Sequence, residues 1–191
     1  MPESIMTSPT AEPEFDEEAA SLAAARSGDP VSITRLYQRH VRSVYRYLYS
    51  QVGNPRDAED LTSQTFLHAL ESLPRYRHRG RFAAWLFTIA RHNAIDHFRR
   101  NRRQMPLETV TAAADGPDPA AQAIETHERR LLATRLQTLR RDERELLRLR
   151  YVAELSFGDI ANVLGKREDA VKKSLYRLLA RLQDEMESEH D

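Results

Sequence analysis

Apolar residues return every three or four positions through Ile33, Leu36, Tyr37, Val41, Val44, Tyr45 and Leu48. That period suits one face of an α-helix and no strand. It recurs in Ala58, Leu61, Thr65, Ala69 and Leu73, and again in Val171, Leu175, Leu178 and Leu182. Sustained alternation is missing, and Asp115-Gly116 does not sit between two β-branched runs. The chain reads as all-α.

Punctuation residues divide the pattern into elements. Pro30 opens a helix that should end near Gly53. The next begins with Asn54 as N-cap, Pro55 at the first helical position and Asp57 at the positive end of the dipole. Pro74 marks its end. A basic loop, Arg75-Tyr76-Arg77-His78-Arg79-Gly80-Arg81, leads to a long helix from Phe82 that should bury Trp85, Leu86 and Ile89. Further on, a helix is expected through Leu132, Leu136 and Leu139. Another starts at Asp142, with Glu145 three residues on as its capping-box partner. Ser156 with Asp159 repeats the box and opens a short helix through Ile160 and Leu164 that Gly165 should terminate.

Two stretches lack periodicity. Residues 1–20 are rich in Pro, Glu, Ser and Thr and are expected to be a disordered acidic tail. Residues 104–123, with Pro106, Pro117 and Pro119, are expected to be a flexible linker. The folded parts are then two small helical domains, 21–103 and 124–186, with 187–191 as a tail. Extended, twenty linker residues reach roughly 66–72 Å. That is about two turns of duplex DNA, on the order of 70 Å.

Charge is as uneven as composition. Basic and acidic residues number 29 each, so the formal sum is zero. Yet residues 1–25 hold six acids and no Lys or Arg, while residues 26–103 hold fifteen basic residues against six acids. Such an asymmetry points to an acidic tail and a polyanion-binding segment. The absence of Cys excludes disulfides, thiolate zinc sites and a cysteine nucleophile. The longest apolar stretch, Phe82 to Ala90, is about half a membrane span. No signal peptide is recognisable at the acidic N-terminus, and a cytoplasmic location is expected.

Three surfaces could carry chemistry. The helix–Gly–helix unit at 156–182 is a helix-turn-helix candidate. Its second helix offers Lys172, Lys173, Tyr176 and Arg177, with Lys166 and Arg167 in the turn, for phosphates or guanine edges. An ordinary helical hairpin with a solvated basic face fits the same segment. The tract Arg75–Arg103 holds nine Arg and one acid, Asp96, interleaved with Tyr76, Phe82, Trp85, Phe87 and Phe98. Cations that track phosphates beside rings or pockets that take bases suit single-stranded nucleic acid. A solvated charge run over core aromatics is the alternative. Third, Asp57, Glu59, Asp60, Gln64 and Glu71 form an acidic–polar face. It lacks a Glu-x-x-His pattern, so no metal is expected, and a protein-binding or solvated face suits it better. No catalytic constellation can be assembled, so no enzyme and no cofactor are expected.

Five segments in order carry a resemblance: Asp57-Ala-Glu-Asp-Leu-Thr-Ser-Gln-Thr-Phe66; Phe82-Ala-Ala-Trp-Leu-Phe-Thr-Ile-Ala-Arg-His-Asn93; Asp96-His-Phe-Arg-Arg100; Glu143-Arg-Glu-Leu-Leu-Arg-Leu-Arg-Tyr151; and Leu155-Ser-Phe-Gly-Asp-Ile-Ala-Asn-Val-Leu-Gly165 with Val171-Lys172. Together they resemble the bacterial RNA polymerase sigma factors of the extracytoplasmic-function group, over residues 26–185. The resemblance implies a region 2 helical bundle and a region 4 helix-turn-helix. It implies that Asp57, Glu59, Asp60, Leu61, Gln64 and Phe66 bind the core polymerase at its β′ clamp, with the β flap as a further contact. It assigns the promoter −10 element to Tyr76, Arg77, His78, Arg79, Arg81, Arg91, Asn93, Asp96, Arg99, Arg100 and Arg103. It assigns the −35 element to Lys166, Arg167, Lys172, Lys173, Ser174, Tyr176 and Arg177. Promoter DNA, RNA polymerase core and an anti-sigma factor are the implied partners. Arg167 stands where a hydroxyl cap is common, so Glu168 or Asp169 should cap the last helix. A stand-alone helix-turn-helix regulator is the competing reading.

Overall fold

Asn54 accepts from the backbone N–H groups of Arg56 and Asp57, and Gly53 before it turns left-handed at φ +68°. These two residues break what would be one long rod into an antiparallel pair, as their types favour. The computed structural model describes residues 12–76, 81–104 and 138–187. In order these form α1 (Glu12–Arg26), α2 (Pro30–Val52), α3 (Pro55–Ser72), a 3₁₀ turn (Leu73–Arg75) and α4 (Phe82–Gln104). Then come α5 (Arg141–Leu147), a π turn (Arg148–Val152), α6 (Phe157–Leu164) and α7 (Glu168–Glu187). No strand occurs among the described residues.

The bundle of α1 to α4 is built on the predicted stripes, with corrections. Ala58, Leu61, Thr65, Ala69 and Leu73 are buried as expected. So are Leu36, Val44 and Leu48, but Tyr37 is exposed, and His40 and Tyr47 take core places. On α4, Leu86 is fully buried, whereas Trp85 and Ile89 are only half-buried and Phe87 fills the centre against Tyr47. Residues from Glu12 onward are helical, which corrects the expectation of disorder through residue 20. Leu22 and Ala25 anchor that helix in the core, and its Glu- and Ala-rich sequence favours helix in any case.

The second part also departs from its reading at one cap. Glu143, not Glu145, closes the start of α5, where its carboxylate accepts from the Arg140 N–H at 3.0 Å. Glu145 faces elsewhere and is buried. Ser156 behaves as expected: its Oγ accepts from the Asp159 N–H at 3.1 Å, and Gly165 ends α6 at φ +62°. Ser156→Ala is expected to cost about 1 kcal/mol in urea denaturation. The expected helix through Leu132 and Leu136 lies outside the described residues, as does the expected linker 104–123 apart from Gln104, which ends α4. Leu139, at the end of that stripe, is buried.

The two parts pack on each other. α6 lies against α4, and the π turn lies against α2. One apolar cluster runs from Leu22 and Tyr47 through Phe87 to Leu149 and Ile160.

Candidate nucleic-acid interface

α3 and α4 run side by side, and their polar edges form two adjoining clefts. One, of about 270 Å³, is lined by Gln64, His68, Asn93, Asp96, Arg99 and Arg100. The other, of about 260 Å³, is lined by Asp57, Asp60, Leu61, Gln64, His97, Arg100 and Asn101. Residues assigned by resemblance to the polymerase and to DNA thus share walls. Asn93 sits at the bottom, 7 % exposed. Its amide nitrogen donates to Thr65 Oγ1 at 3.1 Å, and its Oδ1 lies 3.1 Å from His68 Nδ1. It ties α4 to α3 more than it reaches outward. Asp96 pairs with Arg99 at 3.1 Å on the rim, where Arg100 is exposed.

Several assigned residues have other positions than a binding face needs. Leu61 is 1 % and Phe66 9 % exposed, so both belong to the core that holds α3 in place. Tyr76 is buried, with its ring 4.5 Å from that of Trp85. Arg81 donates to the Gly158 carbonyl at 3.3 Å, and Arg91 lies 3.4 Å from the Glu145 carboxylate. Both Arg side chains therefore turn toward the second part. Arg77, His78 and Arg79 lie outside the described residues, as does the side chain of Arg103.

Sequence reasoning missed an apolar surface next to the acidic one. Leu67, Leu70, Tyr37 and Val31 are all exposed. Leu70, Tyr37 and Phe66 line a groove of about 190 Å³ between α2 and α3. Leu67 follows Asp60 by seven residues, and helical spacing alone places them on one side.

In the second part, α7 turns Val171, Leu175 and Leu178 inward. At 100° per residue this leaves Lys173, Tyr176 and Arg177 near the middle of the outer face. Tyr176 is 60 % exposed, and its ring lies 6.1 Å from that of Phe157. Lys172 and Ser174 flank that face. Lys172 pairs with Glu168 at 2.7 Å and lies over the Phe157 ring. Glu168, one of the two carboxylates expected to cap α7 beside Asp169, is engaged in this way. Ser174, Arg177 and Lys166 line a groove of about 270 Å³ that continues to Arg140, Glu143 and Arg181. The Arg181 guanidinium, then Arg140, hold Glu143 down to about 2, well below a free glutamate.

Residues 36–104 match Sigma-70 region 2, and residues 129–182 match Sigma-70 region 4. The chain is 34 % identical over 176 residues to the ECF RNA polymerase sigma factor SigD of Mycobacterium tuberculosis, covering 87 % of this chain and 82 % of that one. The chain belongs to the ECF sigma factors. It is also similar to the ECF sigma factor BldN of Streptomyces coelicolor, at 36 % identity over 83 % of this chain, and spans 61 % of that relative's length. CnrH, solved in complex with the cytosolic domain of CnrY, shares the fold at a TM-score of 0.66 and 23 % identity, over 90 % of this chain and 97 % of its own. The sigma factor RpoE of Bartonella quintana, solved with the anti-sigma factor NepR, gives a TM-score of 0.57 and 22 % identity, over 81 % and 96 % of the two chains. The region 2 match spans most of α2 with α3 and α4, and the region 4 match spans α5, α6 and most of α7, the last two forming a helix-turn-helix. No described helix is long and apolar enough to cross a membrane.

Proposed function

We propose that this ECF sigma factor directs RNA polymerase core to particular promoters, holding the −35 element as duplex and the −10 element as melted DNA. The observation that carries this reading is the presence of two basic surfaces of different kinds on one chain. The α3–α4 side has clefts with Arg99 and Arg100 at the rim, which suit unpaired bases and their phosphates. The α7 side is a convex helix face with Lys173, Tyr176 and Arg177, which suits a major groove. Opening duplex costs a few kcal/mol per step, which captured bases and phosphate contacts must offset.

Asp57, Glu59, Asp60 and Gln64 are proposed to meet the β′ clamp, with Leu67 as an apolar anchor beside them. Charged rims around an apolar centre are the usual anatomy of such contacts. The −35 element is proposed to lie on Lys166, Arg167, Lys172, Lys173, Ser174, Tyr176 and Arg177. The chemistry of chain synthesis stays with the polymerase, and the cytoplasm, where that enzyme works, is the proposed location. An anti-sigma factor is the proposed regulator. The solved relatives include a sigma factor bound to one. A stand-alone regulator is not favoured, because it leaves the region 2 bundle without a task.

The test is co-purification with core polymerase, followed by transcription from a promoter library. Capture of the polymerase and a strong bias toward one −10/−35 pair are the expected results. Failure to bind the polymerase would refute the reading. Lys173→Ala is expected to lower transcription about tenfold or more from promoters that depend on the upstream element. A uniform drop across all promoters would mean a phosphate contact only.

A further inference from the structure

Three polar side chains join α3 to α4, and their hydrogen bonds run in one direction. Thr65, fully buried, donates its hydroxyl hydrogen to the Leu61 carbonyl at 2.7 Å. A threonine has one such hydrogen, so toward Asn93 its Oγ1 can only accept. The group of Asn93 that faces it at 3.1 Å is therefore the amide NH2. Turning the amide over would set two acceptors against each other in the core, at a cost larger than the bond itself. The amide so held presents its Oδ1 to His68 Nδ1 at 3.1 Å. Oδ1 has no hydrogen to give, so the imidazole supplies it and carries its proton on Nδ1.

In a neutral imidazole the other nitrogen, Nε2, is then a bare acceptor. His68 is exposed, and it lines the cleft whose rim holds Arg99 and Arg100. Those guanidinium groups suit phosphates but have no lone pair for the edge of a base. Asp96, the carboxylate of the same wall, is engaged by Arg99 at 3.1 Å. His68 thus offers the cleft an acceptor whose identity is set from the core outward, through Leu61, Thr65 and Asn93.

We propose that His68 Nε2 reads one base of the opened −10 strand, accepting from the exocyclic amine that adenine and cytosine carry where guanine and thymine carry a carbonyl oxygen. This rests on the promoter reading above and adds a base-selecting residue on α3 to the arginines of α4. A carbonyl oxygen in the same place faces a lone pair and is rejected. Thr65 is a positioning residue, since it sets the tautomer of His68 without reaching the cleft.

The test uses the full-length chain in complex with core polymerase and forked promoter DNA. Each adenine of the −10 strand is replaced in turn by purine and each cytosine by its deamino analogue, which lack only the amine. At one position this change should weaken binding about five- to tenfold in the parent, and should cost nothing further in His68→Ala. Long-range proton–nitrogen NMR of the free chain at alkaline pH, with His68→Ala to identify the ring, should place the proton on Nδ1. Thr65→Val should give a mixture of tautomers, and Thr65→Ser should restore the single one. A ring protonated on Nε2 in the parent, or equal amine penalties in parent and His68→Ala at every position, overturns the proposal. In the second case the forked DNA is still bound and the promoter reading stands. If the parent complex binds no forked DNA, the promoter reading falls and this proposal with it.

Discussion

Stability of the chain is expected to fall by about 3 kcal/mol as pH drops from 6.5 toward 4, chiefly through His40. His40 is 8 % exposed, its ring lies 5.3 Å from that of Phe82, and its Nε2 has no hydrogen-bond partner. Burial, with Arg39 adding to it, lowers its pKa from 6.5 to about 4. Between those values the unfolded chain holds a proton that the folded chain refuses. The contribution is therefore complete above 6.5 and is lost as pH falls through the window. Glu143 works in a lower window: its contribution is present above 4.5 and fades toward 2. Urea denaturation at pH 7.0 and 5.0 separates the two. His40→Leu is expected to remove most of the difference, and an unchanged slope in that variant would disprove the assignment.

Leu61→Ala is expected to cost about 3 kcal/mol, within the usual range of 2–5 for a buried leucine. Asp60→Ala, its exposed neighbour, is expected to stay within about 0.5 kcal/mol. In polymerase binding the order reverses: at a temperature where both variants are folded, Asp60→Ala should weaken capture and Leu61→Ala should not. Thermal unfolding and a pull-down with core polymerase read the two effects separately. A stable Leu61→Ala protein that had lost polymerase would place that side chain on the surface, against its 1 % exposure.

These two residues illustrate what could be read from sequence. The stripe Ala58–Leu61–Thr65 was legible because helical spacing repeats locally, and so were the ends, because Asn54, Pro55, Ser156 and Gly165 act on their own backbone. Phe66 and His40 were not legible, because each is buried by an element distant in sequence. Phe66 packs edge-on to Tyr37 from α2, and His40 packs under Phe82 from α4. The outward face of α7, proposed above for the −35 element, was legible as an exposed face for the same reason as the stripes: Lys173 and Tyr176 lie opposite Val171 and Leu175 by rotation alone. The α3–α4 clefts needed the tertiary pairing that brings Gln64 to Arg100. Glu145 shows the limit. Its spacing from Asp142 imitated a local cap, and its true partner is 98 positions away.

A π turn spans Arg148–Val152. A π turn winds one residue more than an α turn, so it works as an insertion absorbed without a loop. Here it brings Arg150 around to donate to the Leu155 carbonyl and to sit over Phe157. It also delivers the chain to Glu154, which turns left-handed at φ +59°. The orientation of everything downstream is thus phased by the length of this stretch. A homologue shorter by a single residue there would point its last helix along a different azimuth, even with every side chain of that helix unchanged.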